Sequence, residues 1–226
     1  MNRSLSSLSD FFLPRICPGC NKKLLSDEEP VCKECLSSIL TADENLIRRE
    51  FNRKFSSTKF IKDFYSAYVF ETDKTLQNVI HALKYNKQFK LGNYLGKILA
   101  EGIFSKNWVI DIIIPVPINH LKRAERGFNQ SDFIVKGIST VLQIPYSTKS
   151  IKRTRYTDSQ TALKLQERAK NVENAFKVKN INKVKNKNIL LVDDVITTGA
   201  TTLECAKVLI DSGAATVYAC SVGIAE

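Results

Sequence analysis

The chain has 226 residues, of which 43% are apolar, a fraction that is ordinary for a globular protein and too high for a disordered one. Its formal net charge of +11 favours negatively charged partners, such as phosphorylated metabolites, nucleic acid or acidic lipid headgroups. No apolar run approaches the roughly 18 to 20 residues that span a bilayer, and the first residues lack the apolar core and cleavage site of a signal peptide. We therefore expect a cytoplasmic protein without a membrane span.

Residues 1–45 form the first predicted unit and hold four closely spaced cysteines. Two residues separate Cys17 from Cys20 and Cys32 from Cys35, and eleven residues lie between the pairs. This spacing is typical of a zinc site in which each pair offers two thiolates to one tetrahedral ion. Because four protein ligands leave no open position, we expect a structural Zn²⁺ and not a catalytic one. A redox pair and an iron–sulfur centre are the alternatives.

The second predicted unit, residues 46–226, alternates between strand-like and helix-like segments. It opens with a basic stretch, residues 46–63, that fits a linker or an exposed helix. Short apolar runs predict buried strands, and apolar residues spaced by three and four predict helices. The predicted strands cover residues 65–70, 109–116, 189–192 and 216–222, and the predicted helices cover residues 75–85, 90–104, 132–142 and 200–211. This order predicts an α/β fold with a mostly parallel sheet flanked by helices.

A basic segment follows the strand predicted at residues 109–116. Arginine suits bidentate contact with phosphate, and the segment begins where this strand reaches the edge of the sheet. We therefore expect an anion-binding loop, and a surface loop with scattered charges is the alternative. Its candidate residues are Pro117, Arg123, Arg126, Asn129 and Gln130.

Positive charge is concentrated between residues 149 and 187, where twelve Lys and Arg residues stand against Asp158, Glu167 and Glu173. Such a patch attracts polyanions, and a solvated basic surface without a specific partner is the alternative. Polar residues in this segment are candidates for ligand contact, and Lys84 in the sequence HALKYN is a further candidate. The candidates in the basic segment are Arg153, Arg155, Gln160 and Arg168.

The sequence ILLVDDVITTGATT, residues 189–202, combines a buried strand, two carboxylates and a hydroxyl-rich turn before a helix. The first amides of a helix favour a phosphate, Gly199 lets the backbone approach it, and Asp193 and Asp194 suit the hydroxyls of an attached sugar. The sequence contains no G-x-G-x-x-G and no G-K-[ST], which disfavours a dinucleotide site and a Walker A loop. An acidic turn without a ligand is the alternative. The residues of the turn are Thr197, Thr198, Gly199, Ala200, Thr201 and Thr202.

The segment VDDVITTGATT resembles the signature of the type I phosphoribosyltransferases, which bind 5-phosphoribosyl-1-pyrophosphate (PRPP) with Mg²⁺. The resemblance implies that Asp193 and Asp194 bind the ribose hydroxyls and that residues 197–202 bind the 5′-phosphate. It also implies that the loop after the second predicted strand binds pyrophosphate. Residues 151–176 would then form a hood over PRPP, with a pattern of Arg and Gln similar to that of the amidophosphoribosyltransferases.

Together with the four cysteines, HALKYN, PVPINHLKRAERGFNQ and RTRYTDSQTALKLQERAKNV, this signature resembles the ComF family of competence-associated, phosphoribosyltransferase-like proteins. The resemblance implies PRPP as a ligand and a role in DNA uptake, with single-stranded DNA or the competence machinery as a partner. Two hypotheses follow. The chain is a phosphoribosyltransferase with an unknown acceptor, or it is a non-catalytic single-stranded-DNA-binding protein whose PRPP site is regulatory or vestigial.

Overall fold

The computed structural model describes residues 14–25, 27–71, 74–154 and 173–226. The helices in these ranges are α1 (Lys33–Ser38), α2 (Glu44–Lys54), α3 (Thr75–Tyr85), α4 (Phe89–Phe104), α5 (His120–Arg126), α6 (Gln130–Leu142) and α7 (Ala200–Asp211), with a short 3₁₀ helix at Ile181–Lys183. The strands are β1 (Asp63–Val69), β2 (Ile112–Pro115), β3 (Ile151–Arg153), β4 (Phe176–Val178), β5 (Asn188–Ile196) and β6 (Thr216–Ile224). None of these helices combines the length and the apolar character that crossing a bilayer requires.

The main sheet contains four parallel strands in the order β1-β6-β5-β2. Leu191 of β5 pairs with Ala219 of β6, and Val192 of β5 pairs with Pro115 of β2. α7 connects β5 to β6, as a crossover between parallel neighbours requires. The short strands β3 and β4 form a separate antiparallel pair. The predicted α/β fold with a mostly parallel sheet is confirmed.

Helices cover both faces of the main sheet. Side chains alternate between the faces along each strand, so Ile113 and Leu190 pack into one apolar core, while Ile112 and Leu191 pack into the other. α4 and α6 cover the first face, and α2 and α7 cover the second face. Because both faces are buried, the strands read in the sequence as nearly continuous apolar runs.

Glycines allow α4 and α6 to cross at close range. A Cβ atom on Gly96 would collide with the carbonyl oxygen of Ile134 and would lie 2.9 Å from the Cα atom of Gly137. The helices therefore pack backbone against backbone at this point. α6 also contacts β2 and β5, so this packing fixes the start of α6 near the end of the sheet where those strands finish.

The cysteine-rich segment packs onto the helices of the first face. Leu24, Val31 and Ile39 belong to the same apolar core as the buried residues of α3 and α4. The boundary after residue 45 stays a prediction, but the two predicted units share this core.

The basic stretch at residues 46–63 is structured and partly buried. Most of α2 lies within it, and the backbone amide of Leu46 donates to the capping Asp43 Oδ1 atom at 2.7 Å. Ile47 and Phe55 are buried against the second face of the sheet. The stretch therefore supplies a covering helix, not a linker, because its few apolar residues fall on one side.

Candidate functional site

Two neighbouring carboxylates lie on β5 near its carboxyl end. The sequence predicts a strand that ends at Val192, but pairing with β6 continues to Ile196, so Asp193 and Asp194 belong to the strand. The two aspartates interrupt the apolar pattern in the sequence, but they do not interrupt the backbone hydrogen bonds between the strands. The strand is therefore longer than the sequence predicts. Asp194 is 5% exposed, whereas Asp193 is partly exposed.

A lysine from α3 pairs with the more buried carboxylate. Lys84 Nζ lies 2.8 Å from Asp194 Oδ2. Burial opposes the ionisation of Asp194, but the positive charge of Lys84 outweighs burial and lowers the pKa of this carboxyl group. Asp194 is therefore ionised at neutral pH, and the candidate Lys84 lies at the carboxylate pair.

Asp193 has the opposite electrostatic surroundings. Burial raises its pKa well above the ordinary value for an aspartate, and the negative charge of Asp194 raises it further. Asp193 Oδ1 accepts a hydrogen bond from the Asp194 backbone amide at 2.8 Å, and Ser131 Oγ donates to the same atom at 3.5 Å. Two carboxyl groups side by side, one with a raised pKa and one with a lowered pKa, suit two adjacent hydroxyls.

The turn after β5 enters α7 through Gly199, which has φ 78°, a left-handed conformation that glycine adopts without strain. A Cβ atom at this position would lie 2.8 Å from Cε1 of Phe55, the residue that follows α2. The backbone amide of Ala200 donates to Thr198 Oγ1 at 3.4 Å. The turn thus packs closely on Phe55, and the absence of a side chain on Gly199 permits this contact.

The candidate residues of this turn differ in exposure. Thr197 is exposed, whereas Gly199 and Thr202 are buried, with Thr202 only 2% exposed. The partly exposed residues are Thr198, Ala200 and Thr201. Three of the four threonines are therefore at least partly exposed at the start of α7, where the first amides of a helix attract an anion, and the fourth is buried.

The segment after β2 contains a helix where the sequence predicts a loop. α5 begins after Asn119, whose Oδ1 accepts from the Lys122 backbone amide at 2.7 Å, and it ends at Gly127 with φ 81°. A helix of two turns with mostly charged residues carries no apolar repeat, so its sequence resembles a loop. Pro117 is partly exposed and Arg123 is exposed.

Arg126 is buried between α3 and α6. Its Nη1 donates to Gln130 Oε1 at 3.0 Å, and its Cζ lies 5.0 Å from the centroid of the Tyr85 ring. Asn129 Nδ2 donates to the Val116 carbonyl at 3.0 Å. Within the described ranges, Arg126 Nε and Asn129 Oδ1 are buried without a hydrogen-bond partner. One unused donor and one unused acceptor suit a ligand that carries both anionic groups and hydroxyls.

Basic side chains converge near the carboxylate pair. Burial lowers the pKa of Lys122, and the charges of Arg126, Lys84 and Arg153 lower it further, while Asp194 raises it. These groups therefore lie within electrostatic range of one another although they come from α3, α5 and β3. The site combines two carboxyl groups with a surplus of cations, which is the combination that a sugar phosphate requires.

Only one candidate from the predicted hood can be located. Arg153 ends β3, and its Cζ lies 5.5 Å from the centroid of the Phe176 ring on β4. Burial lowers the pKa of Arg153, whereas the nearby carboxyl group of Asp193 acts in the opposite direction. The other candidates, Arg155, Gln160 and Arg168, lie outside the described residues.

Tyr85, Ser131 and Phe55 also lie at this site but are absent from the candidates that the sequence provides. Tyr85 follows Lys84 in HALKYN, and Ser131 follows the sequence RGFNQ, so both adjoin motifs that were recognised. Phe55, which packs beneath Gly199, carries no such indication, because it lies far from the turn in sequence.

The four cysteine sulfurs form a cluster in which all lie within 4.8 Å of one another. Cys20 Sγ and Cys32 Sγ are 3.8 Å apart, which matches the separation of about 3.8 Å that Zn–S bonds of about 2.3 Å give in a tetrahedron. A Cβ atom on Gly19 would lie 2.7 Å from Cys35 Sγ, so the cluster leaves no room for a side chain there. The cluster could bind a metal ion such as zinc.

Backbone amides favour the thiolate form of Cys17. Burial opposes ionisation, but hydrogen bonds from the backbone of Cys32, Gly19 and Cys20 lower the pKa of Cys17 to about 7. The Cys32 amide donates to Cys17 Sγ at 3.4 Å. Because a cysteine must lose its proton to bind a metal, this arrangement also fits a metal site.

Comparisons with known proteins find several that are similar to this chain. Residues 95–225 match the family model of the phosphoribosyl transferase domain. The DNA utilization protein YhgH of Escherichia coli O157:H7 is 34% identical over 147 residues, which cover 63% of this chain and 64% of that protein. Competence protein F of Haemophilus influenzae is 28% identical over 205 residues, which cover 86% of this chain and 83% of that protein. The solved structure of the allosteric regulatory enzyme of purine biosynthesis is 23% identical with a TM-score of 0.41, over 58% of this chain and 25% of that one.

The matched regions cover only part of each chain. This chain covers less than two thirds of the length of the YhgH relatives, 64% in each of the first three. The family match covers more than half of the chain and includes β2 to β6, although Lys84 and the cysteine cluster lie before it. The competence-associated relatives confirm the resemblance that the motifs indicate. The chain belongs to the phosphoribosyl transferase domain family.

Proposed function

We propose that this protein binds PRPP together with Mg²⁺ and transfers the phosphoribosyl group to an acceptor whose identity is open. The observation that carries the proposal is the carboxyl pair of Asp193 and Asp194, placed directly before the threonine-rich turn at the start of α7. The carboxyl pair would bind the hydroxyls of a ribose, and the turn would bind the phosphate of the same sugar.

Each part of PRPP has a complementary part of the site. The 5′-phosphate would accept hydrogen bonds from residues 197–202, and the ribose hydroxyls would meet Asp193 and Asp194. The pyrophosphate would lie against the segment from Pro117 to Gln130, where Arg126 Nε lacks a hydrogen-bond partner within the described ranges. Mg²⁺ would arrive with the substrate and neutralise part of the pyrophosphate charge.

The transfer breaks the bond between ribose C1 and pyrophosphate and forms a bond between C1 and the acceptor. The pyrophosphate leaves with the bonding electrons, so negative charge grows on it while positive charge develops on the ribose ring. Cations such as Lys122 and Arg153 stabilise the leaving group, because they act in a partly desolvated site. Arg155, Gln160 and Arg168 would complete the hood that excludes water.

Calorimetric titration with PRPP and Mg²⁺ tests this proposal. We expect binding heat from the wild type and none from the Asp193→Asn/Asp194→Asn double variant. Asp211→Asn makes the same chemical change at an exposed residue at the end of α7 and should bind normally. Unchanged heat from the double variant would contradict the proposal. Pyrophosphate release measured across a panel of bases, amines and oligonucleotides then identifies the acceptor.

We propose that the cysteine cluster holds Zn²⁺ and that its role is structural. With Cys17, Cys20, Cys32 and Cys35 as ligands, the ion has no position left for a substrate. The reducing cytoplasm would keep these cysteines reduced and available as ligands. The ion would stabilise residues 1–45 as a unit docked on the phosphoribosyl transferase domain.

A second candidate function is the binding of single-stranded DNA, in which case the PRPP site is regulatory or vestigial. Lys152 and Lys177 stand directly opposite each other in the β3–β4 ladder, and both are exposed. Like charges in that position destabilise a hairpin, so the arrangement favours a polyanionic partner. The names of the relatives, a DNA utilization protein and a competence protein, point in the same direction. We infer a role in DNA uptake alongside the competence machinery.

Fluorescence anisotropy with a labelled oligonucleotide tests this second function. Affinity should fall steeply as salt concentration rises, because phosphate contacts release counterions. Replacing Arg153 and Arg155 with Ala should weaken binding at every salt concentration. An affinity that changes neither with salt concentration nor with these substitutions would exclude DNA binding through the basic segment.

A further inference from the structure

A groove of about 890 Å³ lies between the cysteine-rich segment and the turn that joins α3 to α4. Pro14, Arg15 and Pro18 line one wall, and His81 and residues 86–91 line the other wall. We propose that this groove binds single-stranded nucleic acid. The inference deepens the DNA-binding candidate function, because it names a surface that recognises bases and not only phosphates.

The charge of the groove suits a polyanion. Within the described ranges its lining includes Arg15, Lys87 and Lys90 but no Asp or Glu. Lys87 and Lys90 are exposed, and neither takes part in an ion pair in the part of the chain that the structure describes. The Arg15 guanidinium donates to the carbonyls of Leu25 and Glu28, at 3.0 and 2.6 Å, which fix its position on the groove wall.

The groove also offers an exposed aromatic ring on which a base can stack, and the lysines of β3 and β4 offer only charge. Phe89 lines the groove and is 42% exposed. One side of its ring stacks on Phe133, with centroids 4.4 Å apart and planes 20° apart, and Phe128 meets it edge-on at 5.0 Å. Because these contacts hold the ring in place, little entropy is lost when a nucleobase stacks on it.

Amide side chains supply hydrogen-bonding groups between the charges and the aromatic ring. Asn21, Asn78, Asn86 and Gln88 all line the groove, and each amide can both donate to and accept from a base edge. Phosphate-binding cations, a stacking ring and adaptable amides are the three parts of a single-strand binding surface. A duplex conceals its bases, so the groove should prefer an unpaired strand.

The groove adjoins the carboxylate site through α3. His81 lines the groove, and Lys84, one helical turn further on, pairs with Asp194. Tyr85 lies between the two, with its ring centroid 4.7 Å from that of His81 and its hydroxyl accepting from Arg126 Nη2 at 3.3 Å. A strand in the groove would therefore pass beside the site that we assign to PRPP.

Anisotropy with oligothymidylate and with an abasic oligonucleotide of equal length and charge tests the inference on the full chain. Phe89→Leu should weaken binding of oligothymidylate about fivefold or more and leave binding of the abasic strand unchanged, because only stacking is lost. A Lys87→Ala/Lys90→Ala double variant should weaken binding of both strands. Lys97→Ala/Lys136→Ala removes two exposed lysines from α4 and α6 outside the groove and should change neither affinity markedly.

The controls separate this inference from the PRPP proposal. The Phe89 and Lys87/Lys90 variants should bind PRPP as the wild type does, which also verifies that they fold. Groove variants that bind both oligonucleotides as tightly as the wild type, or a wild type that binds duplex as tightly as single strand, would overturn the inference. If only substitutions at Lys152 and Lys177 weaken binding, the strand lies on the hairpin and not in the groove.

Discussion

The cysteine cluster and the carboxylate site are built in opposite ways. The cluster takes all its ligands from one short stretch, Cys17 to Cys35, and its four sulfurs enclose one point. The carboxylate site takes Lys84 from α3, Ser131 from α6 and Asp193 from β5, so it exists only when the sheet and its helices are assembled. A local site depends mainly on spacing, whereas an assembled site depends on the whole fold. Substitutions should therefore affect the two sites differently.

Removal of the proposed metal should give the largest effect. The cysteine-rich segment buries few apolar residues besides its cysteines, among them Leu24, Val31 and Ile39, so a bound ion would supply much of the free energy that orders residues 14–45. We expect Cys32→Ser, or treatment with a strong chelator, to lower the free energy of unfolding by about 5 kcal/mol or more, which is roughly 10–20 °C in melting temperature. Circular dichroism and metal analysis provide the measurement.

Cys205→Ala is the matched control for that experiment, since Cys205 is a buried cysteine of α7 outside the cluster. It should keep the full metal content and lose far less stability. A Cys32→Ser variant that contains no metal but melts at the wild-type temperature would contradict a structural role for the ion.

Two glycines with the same backbone conformation sharpen the comparison at the assembled site. Gly199 and Gly127 have φ of 78° and 81°, so alanine costs about 1 kcal/mol or slightly more at either position. A Cβ atom on Gly199 also meets Phe55, whereas one on Gly127 meets nothing within 4 Å. We expect Gly199→Ala to cost about 3 kcal/mol in urea unfolding and to abolish PRPP binding, and Gly127→Ala to cost about 1 kcal/mol. Equal losses of stability in the two variants would show that Phe55 moves aside at no cost in free energy.

The sequence predicts the local site more completely than the assembled one. The spacing of the four cysteines is sufficient to predict a cluster, and HALKYN and VDDVITTGATT place Lys84 and the two aspartates among the candidates. The sequence does not reveal that Lys84 lowers the pKa of Asp194 while burial raises the pKa of Asp193. That division depends on three-dimensional neighbours, which periodicity and motif spacing do not encode.

The same limit explains the differences in secondary structure. α3 and α7 have the predicted bounds because an apolar face repeats over three turns in each. The sequence does not predict α5, because the residues of this helix are mostly charged. β5 is longer than predicted because Asp193 and Asp194 are polar. These two differences lie at the candidate site, where residues are suited to a ligand and not to packing.

The two aspartates should respond to the same substitution with opposite signs. Asp193→Asn removes a carboxyl group that burial disfavours in its ionised form, so we expect it to raise the free energy of unfolding by about 1–2 kcal/mol at pH 7 while PRPP binding is lost. Asp194→Asn removes the partner of Lys84, so we expect a loss of about 1 kcal/mol. Urea unfolding at pH 7 measures both, and equal signs would contradict the opposite pKa shifts of the two aspartates.

The pH dependence of stability tests the same assignment. Because the pKa of Asp193 is raised in the folded protein, its contribution falls as pH rises from the ordinary aspartate value near 3.9 toward the folded value. Because the pKa of Asp194 is lowered, its contribution is present above about pH 4 and is lost as pH falls. Relative to the wild type, Asp193→Asn should therefore gain stability as pH rises from about 4 to 7. A gain that does not change with pH would show that Asp193 ionises normally.

The smallest expected effect concerns the hairpin of β3 and β4, which forms neither site. Lys177→Glu places an acid opposite Lys152, so it should raise the free energy of unfolding by about 0.5 kcal/mol at low salt, and less at high salt. Lys179→Glu makes the same charge change just beyond β4, outside the β3–β4 ladder, and should leave stability nearly unchanged. If the hairpin binds a polyanion, both variants weaken that binding although only one changes stability. The repulsion between Lys152 and Lys177 would then lower stability in return for binding the partner. A Lys177→Glu variant that is more stable but binds DNA normally would show that this repulsion does not serve DNA binding.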